Sequence, residues 1–151
     1  MAPFRFRFER LLRVKLIRED EWKQEFARAS FALREAEERR DKARRRLSER
    51  EAELRAARSE ERLPLERVLL LNSYVTRLRR ELEELEQEVD AARAKLEEVR
   101  AALAEAMKER KVLETLKERH RLAYLEEQNR IEQRELDEVA RNVTAKPHEA
   151  L

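Results

Sequence analysis

The clearest pattern in the chain is a run of apolar residues separated alternately by four and three positions. It covers residues 78–106 without a polar interruption. This spacing keeps the apolar side chains on one stripe of an α-helix and is typical of a left-handed coiled-coil seam. The stripe consists of Leu78, Leu82, Leu85, Val89, Ala92, Leu96, Val99, Leu103 and Ala106.

An earlier segment shows the same spacing, interrupted by Arg40 and Arg50. Pro64 lies between the two segments, and a proline ends or restarts a helix. We therefore predict one helical-hairpin domain over residues 1–151, with helix one at about 8–61, a turn at about 62–65 and helix two at about 66–142. The first stripe consists of Phe26, Ala29, Leu33, Ala36, Ala43, Leu47, Leu54 and Ala57.

The pairing of the two stripes can be antiparallel within one chain or parallel between two chains. A chain folded back at Pro64 sets Trp22 and Phe26 against an alanine-rich stretch, and large side chains beside small ones pack densely. A parallel homodimer would instead face Arg40 with Arg40. The sequence favours an all-α fold, a long antiparallel two-stranded coiled coil; the homodimeric rod or scaffold is the alternative. The alanine-rich stretch expected opposite Trp22 and Phe26 contains Ala101, Ala102, Ala104 and Ala106.

Helix two is the longer helix, so residues beyond about His120 have no partner in the hairpin unless the segment Phe4–Phe8 doubles back. This overhang is acidic and keeps apolar residues, as expected of a segment that another protein binds. A solvated, fraying helix end is the alternative. Near the turn, residues 63–75 are more apolar than the turn requires and form a second candidate contact surface.

Composition excludes several classes of protein. The chain has 36 Lys and Arg against 34 Asp and Glu, and it has no glycine and no cysteine. It therefore lacks phosphate-binding glycine loops, disulfides and thiolate metal sites. Neither His120 nor His148 follows a glutamate at the spacing of a di-iron site. We predict no enzyme activity, no cofactor, no metal and no small-molecule substrate, and also no signal peptide and no membrane span.

Two basic segments have more than one interpretation. The run Arg39–Arg46 has no interleaved aromatic for base stacking, so we expect it to pair with nearby glutamates rather than with nucleic acid. The segment Phe4–Arg18 carries six positive charges and one negative charge. It is suited to an anionic membrane surface, or to packing on helix two through Phe8, Leu12 and Leu16, and the two can hold together.

The C-terminal part of the sequence resembles the signature of the FliJ family, small components of the bacterial flagellar type III export apparatus. The resemblance rests on Glu109–Leu116, Tyr124 and Arg130–Ala140, which contains the element E-Q-x-x-L-D-E-x-A. The start, with Phe4-Arg5-Phe6, is also similar to that family. Virulence-type export stalks share the architecture, but this element favours the flagellar branch.

The resemblance implies a coiled coil similar to the stalk of the rotary ATPase γ subunit, without catalysis of its own. Family members bind the hexameric export ATPase and promote its assembly, contact the cytoplasmic linker of the export-gate membrane protein, and escort export chaperones. It implies a cytoplasmic monomer, peripherally associated with the inner membrane at the flagellar basal body. Its implied ATPase-ring contacts are Tyr124, Glu132, Gln133, Leu136, Asp137 and Glu138.

The implied export-gate contact lies on both helices towards the turn. Tyr74 and Leu78 match its second-helix part, and Ala43 falls on its first-helix part. The chain has Arg46 and Arg50 where family members tend to have apolar or tyrosine side chains. The chemistry of this contact therefore differs from that of the family.

Overall fold

The computed structural model describes residues 2–145, which form two long helices. Helix α1 spans Glu9–Arg58 and helix α2 spans Leu65–Ala145. Both consist mainly of Ala, Leu, Glu, Lys and Arg, which are strong helix formers. The helices pack against each other as an antiparallel hairpin without strands among the described residues, which confirms the predicted fold class.

The turn between the helices begins at Ser59, earlier than predicted. The Ser59 amide donates to the carbonyls of Arg55 and Ala56, and its hydroxyl donates to the Arg55 carbonyl at 2.9 Å. These bonds satisfy carbonyls at the end of α1. On the other side, the Pro64 carbonyl accepts from the Val68 amide at 2.9 Å and so starts α2. No described residue has a positive φ, so this turn needs no glycine.

Contacts divide the described residues into two compact units. We call residues 20–105, which include the turn, the turn unit. Residues 2–19 and 106–145 are the terminal unit. The prediction of one domain over residues 1–151 stays a prediction, and His148, weighed above as a metal ligand, lies outside the described residues.

Residues of both predicted stripes line the seam of the turn unit. Val75, Val89 and Val99 are almost fully buried, as are Leu54 and Leu96, and no residue of either predicted stripe in this unit is exposed. Their burial removes apolar surface from water and is the main stabilising term in such a fold. Six further residues of the predicted stripes are half-buried: Phe26, Leu33, Leu47, Leu82, Leu85 and Leu103.

Ion pairs across the seam follow the register that a fold at Pro64 predicts. Arg39 lies 3.7 Å from Glu88 and Arg44 lies 3.3 Å from Glu86. The basic run of α1 therefore pairs partly with α2, and not only with neighbouring glutamates as expected. These side chains are solvent-exposed, so each pair adds little to stability but opposes a shift of register.

The large aromatic residues of α1 pack differently from the prediction. Trp22 and Phe26 are half-buried beside a cluster formed by Ala29, Leu96 and Val99. Two of the four alanines expected opposite them do not face the seam. Ala101 and Ala104 are exposed, because only about one residue in every 3.6 returns to the same helix face.

Candidate functional site

Charged residues continue the seam through the terminal unit. Arg110 donates to both carboxylate oxygens of Glu19, with Nη2 to Oε1 at 3.2 Å, and the Glu19 side chain is only 4% exposed. Lys15 Nζ lies 2.8 Å from Glu109 Oε2, and Lys117 Nζ lies 2.9 Å from Glu9 Oε2. In this unit the helices are therefore held together by ion pairs as well as by apolar contacts.

These pairs shift the ionisation of their members. The Lys15 ammonium, which donates a hydrogen bond to Glu109, lowers the pKa of that carboxyl below its usual value of 4.5. Hydrogen bonds to Glu19 and then to Glu114 raise the pKa of Arg110. Within α2, the hydrogen bond from Arg121 lowers the pKa of Glu118.

The segment before α1 folds along the terminal part of α2. Phe6 is buried, and its ring lies 5.7 Å from that of His120. The Phe4 ring lies 5.7 Å from the Tyr124 ring, and the Tyr124 hydroxyl donates to the Ala2 carbonyl. The doubling back that the sequence left open is therefore present, and it covers α2 as far as Tyr124.

Beyond this cover, no described residue packs against α2. Tyr124 and Gln128 are half-buried, whereas every residue from 129 to 145 is exposed. We call residues 129–145 the free segment. Leu136 is 63% exposed and Val139 is 58% exposed. Of the expected ring contacts, Tyr124 lies under the N-terminal segment, and the free segment carries the rest: Glu132, Gln133, Leu136, Asp137 and Glu138.

The expected gate contact lies in the turn unit, around Tyr74. The guanidinium carbons of Arg77 and Arg50 lie 5.1 Å and 6.0 Å from the centre of the Tyr74 ring. With Leu70 and Leu71 these residues line a cavity of about 450 Å³. Leu78 and Ala43 are both buried in the seam, so the side chain available to a partner here is that of Tyr74.

Apolar residues are also exposed at the turn itself. Leu65 is exposed, as are Leu69 and Leu70 in the first turns of α2. Residues 59–64, which connect the helices, offer them no cover among the described residues. The surface around Tyr74 therefore continues into an apolar patch at this end of the turn unit.

Two features of the sites escaped the sequence reasoning. The charged seam positions are Lys15, Glu19, Arg110 and Lys117, and a pattern of apolar residues does not predict them. Their signal is that the spacing of four and three continues through them on both helices, and that Glu19 and Arg110 carry opposite charges. The Phe4 contact with Tyr124 is a tertiary contact, and helical spacing carries no signal for it.

No helix within residues 2–145 has an apolar stretch long enough to cross a membrane. The same residues contain no group of three or more His, Asp or Glu side chains placed to hold a metal ion.

Searches of curated proteins and of solved structures gave no match. The model of the flagellar FliJ protein family matches residues 4–148, nearly the whole chain. The chain therefore belongs to the FliJ family and is a component of the flagellar protein-export apparatus.

Proposed function

We propose that the chain is a non-enzymatic stalk subunit that binds the hexameric flagellar export ATPase through the free segment of α2 and promotes assembly of the ring. The observation that carries this proposal is the exposure of Leu136 and Val139 on a part of α2 against which nothing in residues 2–145 packs. Apolar side chains on an unpaired helix are typical of a surface that a partner covers.

Charge around these residues favours a defined orientation on the partner. The free segment carries four acidic residues and three arginines, with Glu132, Glu135 and Glu138 close to Leu136 and Val139 in the sequence. A partner surface whose charged groups complement this pattern around a shallow apolar site would match it, and charge complementarity fixes orientation and speeds encounter more than it adds affinity. The subunit acts by binding, since a stalk that favours one arrangement of a ring shifts a population without chemistry of its own.

The test is a double variant, Leu136→Asp with Val139→Asp. It should keep its helical circular dichroism, because both side chains are already exposed, and it should lose both binding to the ATPase and stimulation of ATP hydrolysis. The matched control is Ala27→Asp with Phe31→Asp, which adds the same charge at exposed positions of α1. Unchanged stimulation by the first variant, or equal loss in both, would contradict the proposal.

We further propose that the surface around Tyr74 contacts the cytoplasmic linker of the export-gate protein, and that the subunit escorts export chaperones as a cytoplasmic, membrane-peripheral monomer. The support is the exposed apolar patch that adjoins Tyr74. Replacing Tyr74 with alanine should weaken gate binding and leave ATPase stimulation intact. Leu78→Ala is the control for loss of stability, because Leu78 is buried in the seam and its truncation should destabilise the hairpin without removing an exposed contact.

A further inference from the structure

The outward face of α1 in the terminal unit combines arginines with exposed aliphatic side chains. Arg10, Val14 and Ile17 are spaced four and three residues apart and share one face, opposite the seam residues Leu12 and Glu19. Val14 is 54% exposed and Ile17 is 59% exposed. We call this surface the α1 outer face; its members are Arg10, Leu11, Arg13, Val14, Ile17 and Arg18.

The arginines of this face form no ion pair with a carboxylate within the described residues. The charge of Arg18 lowers the pKa of Glu109 on α2. Glu9, which precedes the face along the chain, is held by Lys117 at 2.9 Å. Glu19 follows Arg18 directly but is buried and bound by Arg110, and the next acids along α1 are Asp20 and Glu21. The six members of the face therefore carry a net positive charge.

Inward packing does not account for the apolar residues of this face. Leu12 is buried and Phe8 is half-buried, as one interpretation of the sequence expects of residues that pack on α2. Leu16, the third residue of that interpretation, is exposed. Val14, Ile17 and Leu11 take no part in that packing and remain exposed. Aliphatic side chains between cations on one face of a helix suit a helix that lies in the surface plane of an anionic bilayer.

We propose that the α1 outer face binds anionic phospholipid headgroups, with Val14 and Ile17 entering the edge of the acyl region. Guanidinium groups donate paired hydrogen bonds to phosphate oxygens. Each cation near an anionic leaflet contributes measurably to binding, within a Debye length of the surface. This contact does not involve the free segment, so its test is independent of the test of the ATPase contact.

The second basic surface of the terminal unit supplies a matched control. Lys108 and Lys111 lie three residues apart on α2, with Val112 exposed beside them, and no ion pair engages either lysine within the described residues. Both lysines lie on the side of α2 that faces away from α1. A bilayer that contacts the α1 outer face therefore does not reach them. Removing them subtracts the same charge as removing Arg10 and Arg13.

The test is co-flotation of the full chain with vesicles of phosphatidylcholine alone and of phosphatidylcholine mixed with phosphatidylglycerol. We expect binding to the mixed vesicles only, weakening with salt as the Debye length falls from about 10 Å at 0.1 M to about 3 Å at 1 M. Arg10→Gln with Arg13→Gln should weaken it about 30-fold. Lys108→Gln with Lys111→Gln should change it less than about threefold.

A third variant separates insertion from charge. Val14→Ser with Ile17→Ser keeps every charge and should weaken binding at least about tenfold, because two exposed aliphatic side chains no longer enter the bilayer edge. The variant Leu136→Asp with Val139→Asp should bind the mixed vesicles as the unaltered chain does. That result keeps the lipid contact distinct from the ATPase contact.

Three results would overturn the proposal. One is equal binding to the two vesicle compositions, and another is equal loss in the arginine and lysine variants. The third is an arginine variant that binds the export ATPase more weakly while the unaltered chain binds no vesicles, which would make the α1 outer face a protein contact. Unchanged binding of the serine variant would refute the entry of Val14 and Ile17 into the bilayer.

Discussion

Glu19 and Arg110 form an ion pair across the two helices, with the Glu19 side chain only 4% exposed and that of Arg110 22% exposed. The pair occupies seam positions where a leucine would fit the spacing. A buried charge that loses a partner is costly, whereas an apolar replacement of both partners is often neutral. This pair therefore fixes the register of the terminal unit more than it adds to its stability.

The first prediction concerns this pair. Arg110→Met removes two hydrogen bonds from a buried carboxylate and should lower the free energy of unfolding. The double variant Glu19→Leu with Arg110→Leu should recover most of that loss. Urea unfolding followed by circular dichroism measures both. A double variant less stable than Arg110→Met would show that the charges are needed for stability itself.

The second prediction concerns pH. Lys15 lowers the pKa of Glu109, so the folded state binds this proton less readily than the unfolded state does. Its stabilising contribution is therefore complete above the ordinary pKa of 4.5 and is lost as the pH falls through the lower pKa of the folded state. Glu109→Gln lacks this contribution, so the change in its urea midpoint between neutral and acid pH should be smaller than that of the unaltered chain. Equal changes would mean that the pair with Lys15 is absent in solution.

The third prediction concerns the segment before α1. Phe6 is buried against α2, and Phe6→Ala should release this segment at a cost of about 3 kcal/mol. Hydrogen exchange should rise in α2 around His120 and Tyr124, while the turn unit stays as protected as before. Phe31→Ala is the control, because Phe31 is exposed on α1 and its truncation should alter exchange little. Unchanged exchange near Tyr124 in the Phe6 variant would contradict the contact.

The fourth prediction compares one residue type at two sites. Val89 is 1% exposed and Val139 lies on the free segment. Val89→Ala should lower the free energy of unfolding by about 1–2 kcal/mol, and Val139→Ala should change it by less than about 0.5 kcal/mol. Thermal and urea unfolding measure both effects. A comparable loss at Val139 would mean that the free segment is packed in solution.

The fifth prediction concerns oligomeric state. The seam residues are already buried within one chain, so a second copy is not needed to cover them. Light scattering on the purified chain should give a mass near 18.3 kDa. Twice that mass would favour the homodimeric scaffold that the sequence left as the alternative.

The seam of the turn unit was predictable because apolar spacing carries its signal directly. Val89 and Val99 fall on the predicted stripe of α2 and are among its most buried residues. The charged seam was not predictable from apolar spacing, since Glu19 and Arg110 satisfy each other only once the register is set. The position of Phe4 over Tyr124 depends on a non-helical segment whose path no periodic pattern determines.

The candidate sites also include features that the sequence predicts and features that it does not. Exposure of the free segment follows from the unequal helix lengths, which the position of Pro64 makes visible in the sequence. Burial of Leu78, by contrast, follows from its place on the stripe, and the family resemblance alone did not indicate it. The resemblance to the family indicates candidate contact residues, and the packing of the two helices determines which of their side chains a partner can reach.

The most direct test of the proposed ATPase contact is photo-crosslinking from single positions of the chain. A photoreactive side chain at position 136 should crosslink to the export ATPase in the presence of ATP, and the same group at the equally exposed position 31 should not. Crosslinking from position 31 with none from position 136 would contradict the proposal that the free segment of α2 binds the ring.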